Sequence, residues 1–568
     1  MRRTYAITAI TAVIAAAVAL PQNTVATAAD SAYEVLVFSK TAGWRHDSIP
    51  EGVQTLRELG AANNFAVTTT EDANQFTASN LARFKAVVFL NTTGDILNST
   101  QQTAFESYIR AGGGYVGVHS AADTEYDWPF YGELVGAYFA GHPAAQQSAN
   151  VKVENRATAA TSHLPQTWRR WDEWYNYRTN PRSTARVLAS LDETSYRPET
   201  GAMGDHPHTW CKTYQGGRSF YTGNGHTKES YSDPAFRAML LGGLRYAAGK
   251  TKMDCRPEVG YTSLFDGSTT GWSQAGPGGF TNNDATLTSS GGMGLSWYSA
   301  KEFTTYSLKL DWRMTGDDNS GVFIGFPPSS DPWSAVSKGY EIQIDASDTP
   351  SNTTGAVYGA KGPDLAARDA ALNPPGEWND FELLVEGERV RVYLNGVQVN
   401  DFTNTDPNRS LAGHIGLQNH SASDVVSFRN VRIRESGGAV ATTVQAEQFA
   451  ATGGVRPYTK TGAHNGQTLG YIDPGDWAAY DVDLTGVRTF GARVVSGGPG
   501  GSIQVRTGSS TGPVLGSVAV PNTGGWNTFR DVQTTLTGVP TGRQRLYLTF
   551  TGSGSGLFDV DDFTLTST

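Results

Sequence analysis

The chain has almost no cysteine, two residues in 568. That excludes a disulfide-stapled scaffold and any cysteine-rich metal cluster. Charge is also scarce: Asp, Glu, Lys and Arg make up 17% of the sequence, against about 25% in ordinary soluble domains. The formal net charge is -10 and no block of Lys and Arg is present, which argues against nucleic acid or an anionic membrane as partner. Long apolar runs are missing too. The one apolar stretch, Ala6 to Leu20, is short for a bilayer span. What is abundant is glycine, 65 residues, and aromatics, 11% of the chain. Aromatic content at that level builds cores, so the chain as a whole is not disordered. At roughly 150 residues per domain the length suggests three or four domains.

Residues 1–28 read as a secretory signal. Arg2 and Arg3 form the basic start, the Ala6 to Leu20 run the apolar core, and Ala26-Thr27-Ala28 the cleavage site. We therefore expect a secreted, extracellular protein with no membrane anchor. In an oxidising compartment an even pair of cysteines favours one disulfide, Cys211 to Cys255. It would close a loop of about 44 residues, worth ~4 kcal/mol in the chain-entropy model.

Three regions follow. From 31 to 250, β-rich runs (Tyr33–Ser39, Ala86–Asn91, Tyr115–His119) alternate with helical segments such as Pro50–Leu59. Ser99, with Gln102 three residues on, predicts a capped helix start, and Gly112 lies past its end. Alternation of this kind argues for a parallel sheet covered on both sides. Gly249 to Gly260 reads as a linker. From 261 to 435, short alternating runs and the turn Asn395-Gly396 predict a β-sandwich. Ser436-Gly437-Gly438 reads as a second linker, and 440–568 as a second sandwich.

Seven of the ten histidines lie in the first region: His46, His119, His142, His163, His206, His208 and His226. Open α/β sheets place ligands outside the carboxyl ends of their strands. His119 directly follows one strand, and His46 lies in the loop after the first. The motifs Lys40-Thr-Ala-Gly-Trp-Arg-His46, Gly113-Gly-Tyr-Val-Gly-Val-His-Ser120, Asp172-Glu-Trp-Tyr175, His206-Pro-His-Thr-Trp-Cys211 and Gly217 to His226 resemble the trehalose-utilization (ThuA-like) family. The resemblance implies a glutamine-amidotransferase-like fold. In those amidotransferases a nucleophilic Cys fills the turn that here holds His119, so a base or metal-ligand role replaces thiol chemistry. His46, His119 and His226 are the expected catalytic residues, with His142, His206 and Trp210 as substrate contacts. A scaffold role is the alternative for each. A divalent metal in this domain is a further expectation, although the spacing matches no standard zinc signature.

In Gly339-Tyr-Glu-Ile-Gln-Ile-Asp345, strand alternation puts Glu341, Gln343 and Asp345 on one face. A row of polar groups needs water or a ligand. The two carboxylates are expected about 7 Å apart along the strand, at i,i+2 spacing, within reach of shared acid and base work or of a retaining glycosidase's pair. A solvated sheet face is the plainer alternative. Leu264-Phe-Asp-Gly267, Asn319-Ser-Gly-Val-Phe323, Gly339–Asp345, Gly376-Glu-Trp-Asn379 and Gly416-Leu-Gln418 resemble the 3-keto-disaccharide hydrolase family. That implies a concanavalin-like sandwich acting on sugars oxidised at C3. Glu341 and Asp345 are then expected in acid/base roles, Gln343 in orientation, and His414 or His420 as auxiliaries. Ile324 and Gly325 follow Phe323 where a basic residue is expected.

Residues 444–566 resemble a family 6 carbohydrate-binding module, a jelly-roll sandwich. The matches are Gln445-Ala-Glu447, Leu469 to Trp477, Thr523-Gly-Gly-Trp526 and Phe558 to Phe563. The resemblance implies that Tyr471 and Trp526 flank a sugar ring, whose C–H face packs on aromatic surfaces. Asp559 stands where the family usually has Asn, and an ionised Asp only accepts hydrogen bonds. Gln445, Glu447 and Asp561 match a structural Ca2+ site, and oxygen ligands suit that ion. The expected fold class is thus an α/β domain followed by two β-sandwiches, with polysaccharide or oligosaccharide as ligand. Cleavage of 3-keto-glycosides by an anchored enzyme is the first functional expectation. A non-catalytic, multivalent glycan-binding protein is the second.

Overall fold

The computed structural model describes residues 32–435 and 440–567. The expected signal at 1–28 and the linker Ser436-Gly437-Gly438 lie outside the described residues.

The first domain is built on β1 (Tyr33–Phe38), β2 (Phe65–Thr70), β3 (Ala86–Leu90), β4 (Gly114–Val118), β5 (Phe139–Gly141) and β6 (Gln147–Val153). These are followed by β7 (Thr167–Asp172), β8 (Asn176–Tyr177), β9 (Arg186–Asp192), β10 (Pro207–Tyr214) and β11 (Gly217–Thr222). One nine-stranded sheet has the order β2-β1-β3-β4-β11-β10-β9-β6-β7. Strands β2 to β11 of that order run parallel. The other four pair antiparallel. The parallel sheet expected from the sequence is therefore one half of a mixed sheet. Its direction reverses at Gln215-Gly216, which joins β10 to β11 with both residues at positive φ (46° and 96°). That is the two-residue turn whose twist suits a tight hairpin.

Strands β3 and β4 are buried throughout, as strands covered on both faces should be. Helices Ile49–Ala62, Ser99–Arg110 and Pro234–Ala247 supply the covering layers. The helix at 99 is capped one residue earlier than expected. Asn98 and Gln101 form the reciprocal box, which leaves Gln102 to bind Glu125 at 2.7 Å.

Cys211 on β10 and Cys255 form the disulfide, with Cα atoms 5.4 Å apart. The segment around Cys255 is not a loose linker. Asp254 and Glu258 each lie 2.9 Å from Lys309, and Glu258 also pairs with Arg186 and Arg432 at 2.5 and 2.7 Å. Buried cations on both domains need these carboxylates, so the connection is packed as firmly as a core.

The middle domain is a sandwich of two antiparallel sheets. Asn395-Gly396 makes the expected hairpin turn, both residues at positive φ. Leu308, Leu310, Trp312, Val322, Ile342 and Ile344 pack between the sheets. The last domain is a second sandwich, of six- and five-stranded sheets around Phe490, Phe550 and Phe563.

Candidate functional site

Three places carry chemistry. At the carboxyl edge of the α/β sheet, His46, His119 and His226 come together as expected, joined by Glu173. His119 occupies the turn after β4 at φ +49°, a conformation costing on the order of 1–3 kcal/mol that functional sites retain. Its Nδ1 lies 2.9 Å from the carbonyl of Gly223. Because a carbonyl only accepts, Nδ1 carries the proton and Nε2 faces the cluster. Nε2 stands 3.2 Å from His226 Nδ1 and 3.4 Å from Glu173 Oε2. Glu173 Oε2 is 3.0 Å from His226 Nδ1. The ring centroid of His46 lies 5.0 Å from those of both other histidines. Burial, reinforced by its two histidine neighbours, lowers the pKa of His46 to about 2. Burial works against ionisation of Glu173, yet the neighbouring His119 and His226 hold it well below the usual carboxylate range. Burial likewise opposes charge on His226, but Glu173 raises its pKa overall.

Asp172 supports this edge from behind. Its carboxylate accepts from the backbone N–H of Gly225, His226 and Thr227 at 3.0 to 3.3 Å, and Arg170 and Ser230 hold it in turn. His142 sits at the rim, 3.5 Å from Glu173 Oε1 and partly exposed. The other two expected contacts are not at the site. His206 is buried between Glu193 (2.9 Å) and the carbonyl of Tyr175 (2.8 Å). Trp210 is fully buried, donates to the carbonyl of Val135 at 2.7 Å and stacks on Tyr221. Both sit on or beside β10, inside the layer rather than at its edge. Glu173 carries no signal of its own in the sequence, because in the Asp172-Glu173 pair nothing local shows which carboxylate faces inward.

On the middle sandwich, Glu341, Gln343 and Asp345 share a face of the edge strand Tyr340–Asp345, but the face is not solvated. All three are buried, at 5%, 1% and 7% exposure. The chain at 354–358 pairs along that edge, and the helix Trp333–Lys338 covers the adjoining cluster of Trp297, Phe323 and Phe326. Burial, opposed only by Gln418, pushes the Glu341 carboxyl up to about 8. Gly321 on the neighbouring strand makes room for it: a Cβ there would fall 2.4 Å from Glu341 Oε1. Gln343 Oε1 has no hydrogen-bond partner among the described residues.

Asp345 does not pair with Glu341. Four strand positions separate them, about 13 Å, with Gln343 between. Asp345 accepts from Asn319 and from the backbone N–H of Ser347 and Asp348 at 2.8 to 2.9 Å, which fixes a turn. His414 is buried against the carbonyls of Tyr298 and Lys301, and His420 pairs with Asp424 at 2.8 Å. Gly325 is at φ +76° with the carbonyl of Ser410 where a Cβ would go, so this backbone admits no basic side chain there.

On the last domain Tyr471 and Trp526 are exposed, 51% and 42%, and are not core residues. Arg456 lies over the Tyr471 ring at 3.8 Å. Asp559 is buried and ion-paired with Lys460, whose Nζ lies 5.1 Å from the Trp526 ring centroid. Burial raises the pKa of Asp559, and Lys460 partly offsets that. Lys460 had no signal in the sequence, where a lysine between short strands reads as solvated. Gln445 Oε1 and Glu447 Oε2 are buried with no hydrogen-bond partner among the described residues. The Asp561 carboxylate is met by Arg493 and by the backbone N–H of His464.

Comparison with known proteins matches residues 34–247 to the family model for trehalose utilisation. Residues 260–434 match that of the 3-keto-alpha-glucoside-1,2-lyase-like domain, and 445–567 that of the family 6 carbohydrate-binding module. The chain thus joins three carbohydrate-linked domains in that order. An arabinoxylan arabinofuranohydrolase of Paenibacillus polymyxa is 42% identical over 132 residues, which cover 22% of this chain and 20% of that protein. The chain therefore spans about a fifth of that relative. A family 6 module from Clostridium cellulolyticum, solved with xylose, is 35% identical, covers 22% of this chain and 95% of its own, and superposes with a TM-score of 0.21. A ThuA-like protein from Bacteroides uniformis is 24% identical over 39% of this chain and 94% of its own, with a TM-score of 0.35.

Proposed function

We propose that the protein is exported, that its middle domain cleaves 3-keto-glycosides, and that its last domain holds the glycan on which the domain works. The observation that carries the catalytic part is the Glu341 carboxyl, buried on the sheet face with a pKa pushed up to about 8. A ketone at C3 acidifies the hydrogen on C2. Ionised Glu341 takes that proton, and burial makes it a stronger base than an ordinary carboxylate. The electron pair forms the C1–C2 double bond as the C1–O bond breaks. Protonated Glu341 then returns the proton to the departing oxygen, so one side chain completes the transfer. Water adding across the double bond gives net hydrolysis. The amide groups of Gln343 and Gln418 are the nearby polar groups able to orient the sugar. Incubation with 3-keto-trehalose and with plain trehalose tests this. Free sugar from the keto substrate alone is expected; release from neither overturns the proposal.

A glycan-binding protein without catalysis is the second reading. It is favoured by the engagement of Asp345 in a turn and by the packing at Gly325, which excludes a basic side chain at that position. Binding without turnover in the same assay would establish it.

The partnerless oxygens Gln445 Oε1 and Glu447 Oε2 beside Asp561 suit a hard cation, and we propose structural Ca2+ there. Saturating Ca2+ at 100 times its Kd would add about 2.7 kcal/mol to this domain. Its melting transition should fall on chelation, recover with Ca2+, and stop responding in Glu447→Gln. A transition indifferent to chelator refutes the site.

A further inference from the structure

The cluster at the edge of the α/β sheet has no part in the reaction proposed for the middle domain, and its ligand chemistry stands independently of that reaction. We infer that His46, His119, Glu173 and His226 bind one divalent transition-metal ion of borderline softness, such as zinc or cobalt.

The spacing supports this first. The four ligand atoms lie within 4.8 Å of one another, and those of His119, Glu173 and His226 stand 3.0, 3.2 and 3.4 Å apart. Donors held ~2.1 Å from one ion stand about 3.0 to 3.4 Å apart in octahedral and tetrahedral shells. Hydrogen bonding supports it second. His119 spends its Nδ1 proton on the carbonyl of Gly223, the outer contact that metal-bound histidines usually make. This aims an Nε2 lone pair at a carboxylate and another imidazole nitrogen. His46 Nδ1 is engaged by Ser120 Oγ at 3.3 Å, leaving its other nitrogen. His226 is fixed through its own backbone N–H by Asp172. Each histidine is therefore oriented by a group outside the cluster.

The donor set decides the kind of ion. Three imidazoles and one carboxylate suit zinc, cobalt and their neighbours, and disfavour calcium and magnesium, which take all-oxygen shells. The acidic site of the last domain has the opposite preference. The two ions should sort between the two domains. His226 is 19% exposed at its side chain, so the centre is reachable, and His142 lines its mouth.

The competing arrangement is a single proton held between His226 and Glu173. To separate the two, the full-length chain is stripped with chelator and dialysed against Co2+ with excess Ca2+ present. One Co2+ per chain is expected, with visible absorption bands from nitrogen ligation. Glu173→Gln and His226→Ala should weaken retention at least tenfold with circular dichroism unchanged. Asp561→Asn, in the other cluster of His464, Asp561 and Asp562, should retain it. No uptake by the wild-type chain overturns the inference whatever the variants do. Uptake that survives both α/β variants, or that only Asp561→Asn removes, overturns it as well.

Discussion

Glu341→Gln is expected to abolish release of free sugar from 3-keto-glycosides and to raise the melting temperature at pH 9, while changing it little at pH 4. Both effects come from one property, the carboxyl pushed up to about 8 by burial. In the unfolded chain the group titrates near 4.3. Between those values the folded state binds the extra proton, so stability is full below about pH 4 and is lost as pH rises through about 8. The full penalty of ionising it in place is on the order of 3–5 kcal/mol. Glutamine keeps the shape and the contact with Gln418 but never ionises, so it removes the alkaline penalty. For activity the sign is reversed. The base is the ionised form, so kcat/KM should climb with pH and level off above about 8. A profile that falls through the same range would assign Glu341 as proton donor alone. Wild-type turnover in the variant would remove it from the chemistry, and thermal scans at pH 4 and 9 that move in parallel would remove the buried-carboxyl argument.

Much of this was legible in the sequence because it rests on local pattern. Alternation placed Glu341 and Gln343 on one face, and parity paired Cys211 with Cys255. The turn after β4 put His119 at the sheet edge. What was not legible depends on which chain covers which surface. A solvated face stood as the alternative for Glu341 because nothing local shows how deeply the strand Tyr340–Asp345 is buried or that the chain at 354–358 pairs along its edge. Trp210 looked like a substrate contact because an aromatic in a histidine-rich motif gives no hint that its indole points between layers. The reversal of half the sheet was written in Gln215-Gly216, a turn too short to stand out. The ion network around Asp254 and Glu258 joins residues more than fifty positions apart, and a segment with glycine at both ends reads as a linker until its partners are known.

Trp526→Ala is expected to weaken binding of neutral oligosaccharides about 30-fold, since truncating a central aromatic contact costs about 2 kcal/mol or more. The ring is exposed yet not loose, because Lys460 sits beneath it, tied to the buried Asp559. Tyr471 makes the same case from the backbone. It stands at φ +60°, where a bulky residue stores on the order of 1–3 kcal/mol of strain. Glycine would relieve that strain, so Tyr471→Gly should hold or gain stability while losing affinity. That is the opposite of what removal of a packing residue does. Turnover of small 3-keto substrates should be untouched in both variants, and equally in a chain lacking 440–568, while retention on polysaccharide falls in all three. Affinity unchanged in Trp526→Ala and Tyr471→Gly would move the glycan site elsewhere on the sandwich. Loss of stability in Tyr471→Gly would make the ring structural after all.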